Sequence, residues 1–267
     1  MKKTLQIANI LVFVATVIVN YASNTGAINN TTIGKVSDTF DSLFTPAGYA
    51  FSIWGVIYLF LLGFVIYQSR SLFRSVRDDS FILKTGWWFV LSCIANMLWV
   101  VFWLYGYMEF SILAMFVLLF SLLAIVLRNN MELFDARFPV ICCVWWPFVI
   151  YSGWVTVASI ANVAAYLVSI DWNGWGISET TWTIVMICVA GVINLLMVRL
   201  RNMREFALVG AWALIAIAVA NWETNTTIVY TAMSVALVLF VSSSIHAYKN
   251  RSLNPINKLY EHFESIS

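Results

Sequence analysis

The sequence predicts an all-α membrane protein, a polytopic transmembrane bundle of about eight helices with both termini on the cytoplasmic side. Three observations support this fold class. The 267 residues are 61% hydrophobic and only 10% charged, whereas a soluble domain carries about 25% charged residues. The apolar stretches are continuous and lack the alternation of barrel strands, so helices must satisfy the backbone within the bilayer. Lysine and arginine also gather in every second loop, as in other helical membrane proteins.

Eight apolar runs of about 17–25 residues, the length needed to cross a bilayer, give the helices in chain order. They cover 5–22, 47–67, 86–105, 110–127, 140–168, 180–198, 206–222 and 226–247. Pro46 suits the first turn of the second helix. The fifth run is longer than one span requires, and Pro147 should kink that helix or mark its true start.

The charged residues between these runs set the orientation independently. The N-terminus, alternate loops and the C-terminus are basic, with Lys2, Lys3, Arg70, Arg74, Arg77, Lys84, Arg128, Arg137, Arg199, Arg201, Arg204, Lys249, Arg251 and Lys258. The opposite loops contain one cation, Lys35, together with Asp38, Asp41, Glu109, Asp171, Glu179 and Glu223. Because basic loops stay in the cytoplasm, we expect a multi-pass protein of a bacterial inner membrane, with the lipid bilayer as its first partner.

Residues 1–22 have a second interpretation. Two lysines followed by an apolar run that ends near Ala22 are also typical of a secretory signal peptide. The run is long enough for a span, and its removal would leave seven spans in the same orientation. Both interpretations stay open at this point.

The composition also limits the class of function. The formal net charge is only +2, and no basic run or Gly-rich phosphate loop indicates a nucleic-acid partner. Cys93, Cys142, Cys143 and Cys188 all fall inside predicted spans and form no Cys-x-x-Cys pair, so we expect no disulfide framework and no metal site. No nucleophile and base stand together, which disfavours an enzyme.

The second span begins with a specific set of residues. Pro46, Gly48 and Phe51 precede Trp54 and Tyr58, which lie one helical turn apart on one face. Trp54 should lie about eight residues into the helix, which is deep for an interfacial aromatic residue.

The third and fifth spans carry two further stripes. Asn96, Trp99 and Trp103 share one helix face, and an amide exposed to lipid is costly, so we expect Asn96 to face other helices or a cavity. In the fifth span Trp154, Ala158 and Asn162 recur at intervals of four. Packing between helices would explain either stripe as well as a ligand pocket would.

Taken in order, these motifs resemble the TspO/MBR family, the tryptophan-rich sensory proteins related to the mitochondrial translocator protein. The matching residues are Pro46, Gly48, Phe51, Trp54 and Tyr58, then Asn96, Trp99 and Phe102, and finally Trp154, Val155, Ala158 and Asn162. The chain departs from the family pattern in having one proline instead of two and Tyr49 in place of tryptophan. The step from Phe51 to Trp54 is one residue shorter, and that from Pro147 to Trp154 is three residues longer.

The resemblance implies that residues 1–170 form a five-helix membrane core around a pocket lined by tryptophan. Such a pocket would bind a flat hydrophobic small molecule, a porphyrin or other tetrapyrrole or a sterol-like compound, in a sensory or regulatory role. The implied ligand-binding residues are Trp54, Tyr58, Asn96, Trp99, Trp154, Ala158 and Asn162, with Pro46, Gly48 and Phe51 in the loop over the pocket. Residues 171–267 would add three transmembrane helices and a short cytoplasmic tail, and these could contact a second copy in a homodimer.

A membrane transporter of a small hydrophobic substrate is the alternative. Asn96, Asn162 and Asn194 place polar groups within the predicted membrane region. Against a transporter, no charged residue lies centrally in a span and no internal repeat is evident. Turnover of a porphyrin, which has been linked with this family, would be a third activity, although the sequence offers no acid–base cluster for it.

Overall fold

The computed structural model describes residues 1–40, 42–76, 79–250 and 259, and all regular structure in these ranges is helical. The eight long helices are α1 (Lys2–Thr25), α3 (Ile53–Phe73), α5 (Trp88–Leu104), α6 (Met108–Arg128), α8 (Trp146–Ser169), α9 (Glu179–Arg201), α10 (Arg204–Ala220) and α11 (Thr226–Lys249). Shorter helices are α2 (Ile33–Thr39), α4 (Ser80–Thr85) and α7 (Phe138–Val140). Tight 3-10 turns cover Gly48–Ser52 and Gly174–Gly176, and a π-helical segment covers Ile141–Trp145.

Each of the eight predicted spans corresponds to one long helix, which confirms the polytopic helical fold. By length and composition, six helical segments in the described ranges could cross a membrane: Lys2–Thr25, Gly48–Phe73, Met108–Arg128, Phe138–Ser169, Glu179–Arg201 and Thr226–Lys249. Of the two remaining helices, α5 is apolar but has only 17 residues, and α10 also has 17.

Contacts between loops agree with the predicted alternation of loops between the two ends of the bundle. At one end of the bundle Lys2 forms an ion pair with Asp79, and Arg128 Nε donates to the carbonyl oxygen of Lys84 at 2.8 Å. Asn202 joins this end by donating to the carbonyl oxygen of Glu132 at 2.9 Å. The N-terminus and three of the predicted cytoplasmic loops therefore meet on one side. The predicted positions of Asp41, Arg77, Arg251 and Lys258 lie outside the described residues.

The N-terminal helix is tied to the bundle through buried amides. Gln6 Nε2 donates to the carbonyl oxygen of Gln68 at 2.6 Å, and Asn9 Nδ2 donates to the Gln68 side chain at 2.9 Å. Nearer the other end, Asn20 Nδ2 donates to Asn96 Oδ1 at 2.7 Å. The amide NH₂ groups of these three α1 side chains thus find acceptors on α3 and α5, as the cost of an unpaired amide in lipid favours.

Helix α10 occupies the centre of the C-terminal part, packed against α8, α9 and α11. It approaches α8 closely at Gly153, where an added Cβ would lie 2.9 Å from the carbonyl oxygen of Phe206. Gly191 and Gly210 instead leave room for side chains of neighbouring helices, Val235 of α11 and Asn194 of α9. The small residue at the crossing of α8 and α10 allows the two backbones to approach, as small residues do where helices associate in a membrane.

Of the two prolines that the sequence predicts to shape helices, only Pro147 lies in the first turn of a long helix. Pro147 is in the first turn of α8 and follows the π-helical segment, so the break expected in the long fifth span is present. Pro46 does not lie within the helix that it was expected to open, because the chain first makes the 3-10 turn Gly48–Ser52 before α3 begins at Ile53. A 3-10 turn rises about 2.0 Å per residue, so the five residues Gly48–Ser52 still place Trp54 about 10 Å from the start of the candidate span at Gly48.

Candidate ligand-binding site

Trp54 is the centre of an aromatic cluster formed by α3, α5 and α8. Its ring stacks on Trp99, with centroids 5.9 Å apart, and on Tyr58, with centroids 5.7 Å apart. It meets Tyr151 and Trp154 edge to face at 5.6 and 6.4 Å. These are the separations at which aromatic pairs are stabilising, so the structure brings Trp54, Trp99 and Trp154 from three helices into one cluster.

A cavity of about 40 Å³ lies beside this cluster. The lining residues that the sequence singled out are Pro46, Phe51, Trp54, Trp99, Trp154, Ala158 and Asn162. Because Trp154, Ala158 and Asn162 recur every four residues on α8, one face of that helix forms a whole wall. The space holds only a few water molecules, which is far less than a drug-sized ligand needs.

Asn162 holds the neighbouring tryptophan in place. Its Oδ1 accepts a 2.8 Å hydrogen bond from Trp99 Nε1, and its Nδ2 donates to Ser111 Oγ at 2.8 Å. Ser111 in turn donates to the carbonyl oxygen of Met108 in α6. The amide therefore fixes the orientation of the Trp99 ring and joins α5, α6 and α8.

Two indole N–H groups beside the cavity remain unused. The Nε1 atoms of Trp54 and Trp154 are buried and have no hydrogen-bond partner among the described residues. A buried donor without an acceptor costs about 1–3 kcal/mol. Both side chains line the cavity, so a molecule placed there with acceptor atoms would offset that cost.

Three of the residues implied by the resemblance lie outside the cavity wall. Tyr58 does not line the cavity, but its ring stacks on Trp54, which does. Asn96 points between helices, accepting from Asn20 at 2.7 Å and donating to the Tyr151 hydroxyl at 2.9 Å. Gly48 lies in the 3-10 turn above the cavity, where an added Cβ would meet nothing within 4 Å.

Other lining residues were not singled out as ligand-binding. They are Ser37, Thr45, Trp103, Met115, Val157, Ala161 and Ala165. Trp103, Ala161 and Ala165 could have been added from helical periodicity, because they share faces with Trp99 and Asn162. Ser37, Thr45 and Met115 come from other elements and reach the cavity only through tertiary packing, for which the sequence carries no signal.

The segment over the cavity, residues 43–51, is held by α10 and by Asn221 at the end of that helix. The backbone N–H of Ala47 donates to the carbonyl oxygen of Ala216 at 3.0 Å. Asn221 Nδ2 donates to the carbonyl oxygen of Leu43 at 3.0 Å, and the ring of Trp212 meets Tyr49 edge to face at 5.2 Å. The C-terminal helices therefore contribute to the closure of the site without lining it.

Comparison with known proteins agrees with the motifs. A family model described as TSPO-like protein matches residues 6–245, so the match is not confined to the first five long helices and includes α9, α10 and most of α11. Neither the curated proteins nor the solved structures gave a match. With a family match over most of its length and helices suited to the bilayer, the chain belongs to the TSPO-like protein family of integral membrane proteins.

Proposed function

We propose that this membrane protein binds a flat hydrophobic small molecule, of porphyrin or sterol-like type, between its helices and acts as a sensor or regulator. The observation that carries the proposal is the convergence of Trp54, Trp99 and Trp154 on one cavity. Indole faces suit a planar ring because stacking adds about 0.5–1.5 kcal/mol per aromatic pair to the gain from burial.

The two free indole donors favour a ligand with hydrogen-bond acceptors. Trp54 and Trp154 each carry a buried N–H without a partner among the described residues, and a carbonyl or carboxylate oxygen of the ligand would accept from them. A tetrapyrrole with acidic side chains meets this requirement and presents a large flat surface to the rings. A saturated hydrocarbon does not.

Binding of such a ligand requires the cavity to widen. The present volume of about 40 Å³ lies well below the roughly 300–1,000 Å³ of typical ligand pockets. Most of the wall belongs to long packed helices, but Thr45, Pro46 and Phe51 belong to the segment before α3. We propose that this segment moves aside when the ligand enters, and that its position reports occupancy.

Titration with protoporphyrin tests the proposal. The purified full chain in mild detergent should show saturable quenching of tryptophan fluorescence, and Trp54→Leu should weaken the apparent affinity by up to about tenfold if it loses one stacking partner and one donor. Twelve of the 13 tryptophans remain as reporters in that variant.

Trp222→Leu is the matched control. Trp222 is 66% exposed and does not line the cavity, so the same substitution there should leave the affinity unchanged. Quenching that never saturates, or that weakens equally in both variants, would show that porphyrin partitions into the micelle instead of binding at this site.

A further inference from the structure

A second and much larger cavity, an elongated groove, lies on the other face of α8. It has a volume of about 870 Å³ and is bounded by α6, α8, α9 and the loop from Asp171 to Ile177. Thr156, Ile160 and Ala164 line it from α8, between the positions that face the tryptophan cavity. Helix α8 therefore separates two sites, and the larger one depends on α9, which lies in the C-terminal part of the chain.

The groove follows the membrane-spanning part of α9. Its lining runs along that helix from Glu179 to Ile193, a distance of about 21 Å at 1.5 Å per residue. One leaflet of a bilayer has a hydrocarbon thickness of about 15 Å, half of the usual 30 Å core. The groove is lined mostly by apolar side chains and is about 6 Å longer than this, so it has room for one lipid chain and for part of a headgroup at its end.

The end of the groove carries aromatic and acidic groups. Trp172, Trp175 and Trp182 form a cluster with ring centroids 5.3–6.0 Å apart. Asp171 and Glu179 line the same end, and no lysine or arginine occurs among the described lining residues. Negative charge next to indole faces favours a cationic group, which is attracted by both.

Trp175 is held in an exposed position by its backbone. Its side chain is 76% exposed, its φ is +53°, and its N–H is bonded to Asn173 Oδ1 at 3.0 Å. Trp182 Nε1 anchors the loop by donating to the carbonyl oxygen of Gly174 at 2.9 Å. Positive φ at a bulky residue is uncommon and costly, and here it keeps a large ring at the mouth of the groove.

We propose that the groove binds one lipid of the surrounding bilayer whose headgroup bears an ammonium or quaternary ammonium. Its hydrocarbon chain lies along α8 and α9, and its cationic group lies by Trp175, Asp171 and Glu179. A transmembrane helix of a partner fits less well, because residues of the loop from Asp171 to Ile177 line the end of the groove and stand in the path of a helix that continues across the bilayer. The acidic and aromatic groups at the end of the groove favour a cationic headgroup, and the length of the apolar lining favours a single lipid chain.

Native mass spectrometry tests this proposal. The full chain in mild detergent is given an equimolar mixture of phosphatidylcholine and phosphatidylglycerol with identical chains, and the retained lipids are counted. We expect one phosphatidylcholine to be retained several-fold more often than phosphatidylglycerol. Ala164→Trp places an indole in the path of the lipid chain and should remove this retained lipid, and Val163→Trp provides a second obstructing variant in case the first does not fold.

Leu237→Trp is the control, because Leu237 lies on α11, is 62% exposed and does not line the groove. This variant should retain the lipid as the wild type does. Asp171→Asn should lower the preference for phosphatidylcholine several-fold. Adding Ala164→Trp to this variant should still remove the retained lipid. Retention that survives both blocking variants would mean annular lipid only and overturn the site, and equal retention of the two lipids would overturn the headgroup assignment.

Discussion

The backbone N–H of Ala47, next to Pro46 in the wall of the tryptophan cavity, donates a 3.0 Å hydrogen bond to the carbonyl oxygen of Ala216 in the middle of the C-terminal part. Glu179 Oε1 adds a second tie from α9 by accepting from the N–H of Leu43 at 2.9 Å. The segment that covers the proposed binding site is therefore anchored by helices beyond residue 170, and if a ligand enters past this segment, these helices would control its access.

Loosening this anchor should speed ligand entry. Trp212 contacts Tyr49 edge to face and donates to the carbonyl oxygen of Ala50 at 3.4 Å, contacts that together contribute about 1–2 kcal/mol. Trp212→Leu should raise the association rate of protoporphyrin by up to about tenfold, measured by stopped-flow quenching. Trp222 is exposed and has no hydrogen bond or ring contact with the described residues of the segment, so Trp222→Leu should keep the wild-type rate. An unchanged rate in Trp212→Leu would show that the segment does not control entry.

Asn162 should matter more for stability than its position in a pocket wall suggests. Replacement by leucine leaves the buried N–H of Trp99 without an acceptor and removes the bond to Ser111, at a cost of about 1–3 kcal/mol. Thermal unfolding followed by tryptophan fluorescence should show a clear fall in Tm. Ser159→Ala, which loses a hydrogen bond within α8 alone, should change Tm little. Equal Tm values for the two variants would contradict the structural role of Asn162.

The crossing of α8 and α10 gives a test with a glycine control. An alanine Cβ at Gly153 would lie 2.9 Å from the carbonyl oxygen of Phe206, which is backbone and cannot move aside cheaply, so Gly153→Ala should lower Tm. Gly63→Ala meets nothing within 4 Å in α3 and should be neutral or stabilising by up to about 1 kcal/mol, because alanine favours helix. A Gly153→Ala variant as stable as Gly63→Ala would show that the two helices are less closely packed.

The spans could be predicted from the sequence because a helix must be about 20 apolar residues long to cross a bilayer and because basic loops alternate with acidic ones, although residues 1–22 also fitted a signal peptide. The face of α8 that carries Trp154, Ala158 and Asn162 could also be predicted, since helical periodicity alone brings these residues together.

The partners of buried amides could not be predicted in the same way. The cost of an amide in lipid requires that Asn96 find a partner, but a ligand, Asn20 or Tyr151 would each satisfy that requirement, and only the packing of α1 and α8 selects the last two. The large groove was missed because Trp172, Trp175 and Trp182 are typical of interfacial residues, and nothing in the sequence indicates how far α8 and α9 diverge.

Glu132, between α6 and α7, should make stability depend on pH. It is 8% exposed, and burial raises its pKa to about 8; the neighbouring Glu205 acts in the same direction, and Arg204 opposes it. In the unfolded chain the carboxyl ionises near its ordinary pKa of 4.5.

Between these two pKa values the folded state of the protein holds the Glu132 proton more tightly, so the free energy of unfolding falls as pH rises and levels off above about 8. Glu132→Gln cannot ionise and should flatten this part of the profile, which Tm measurements from about pH 5 to about pH 8 would detect. A slope that stays the same in Glu132→Gln would mean that other groups, and not this buried carboxyl, set the pH dependence.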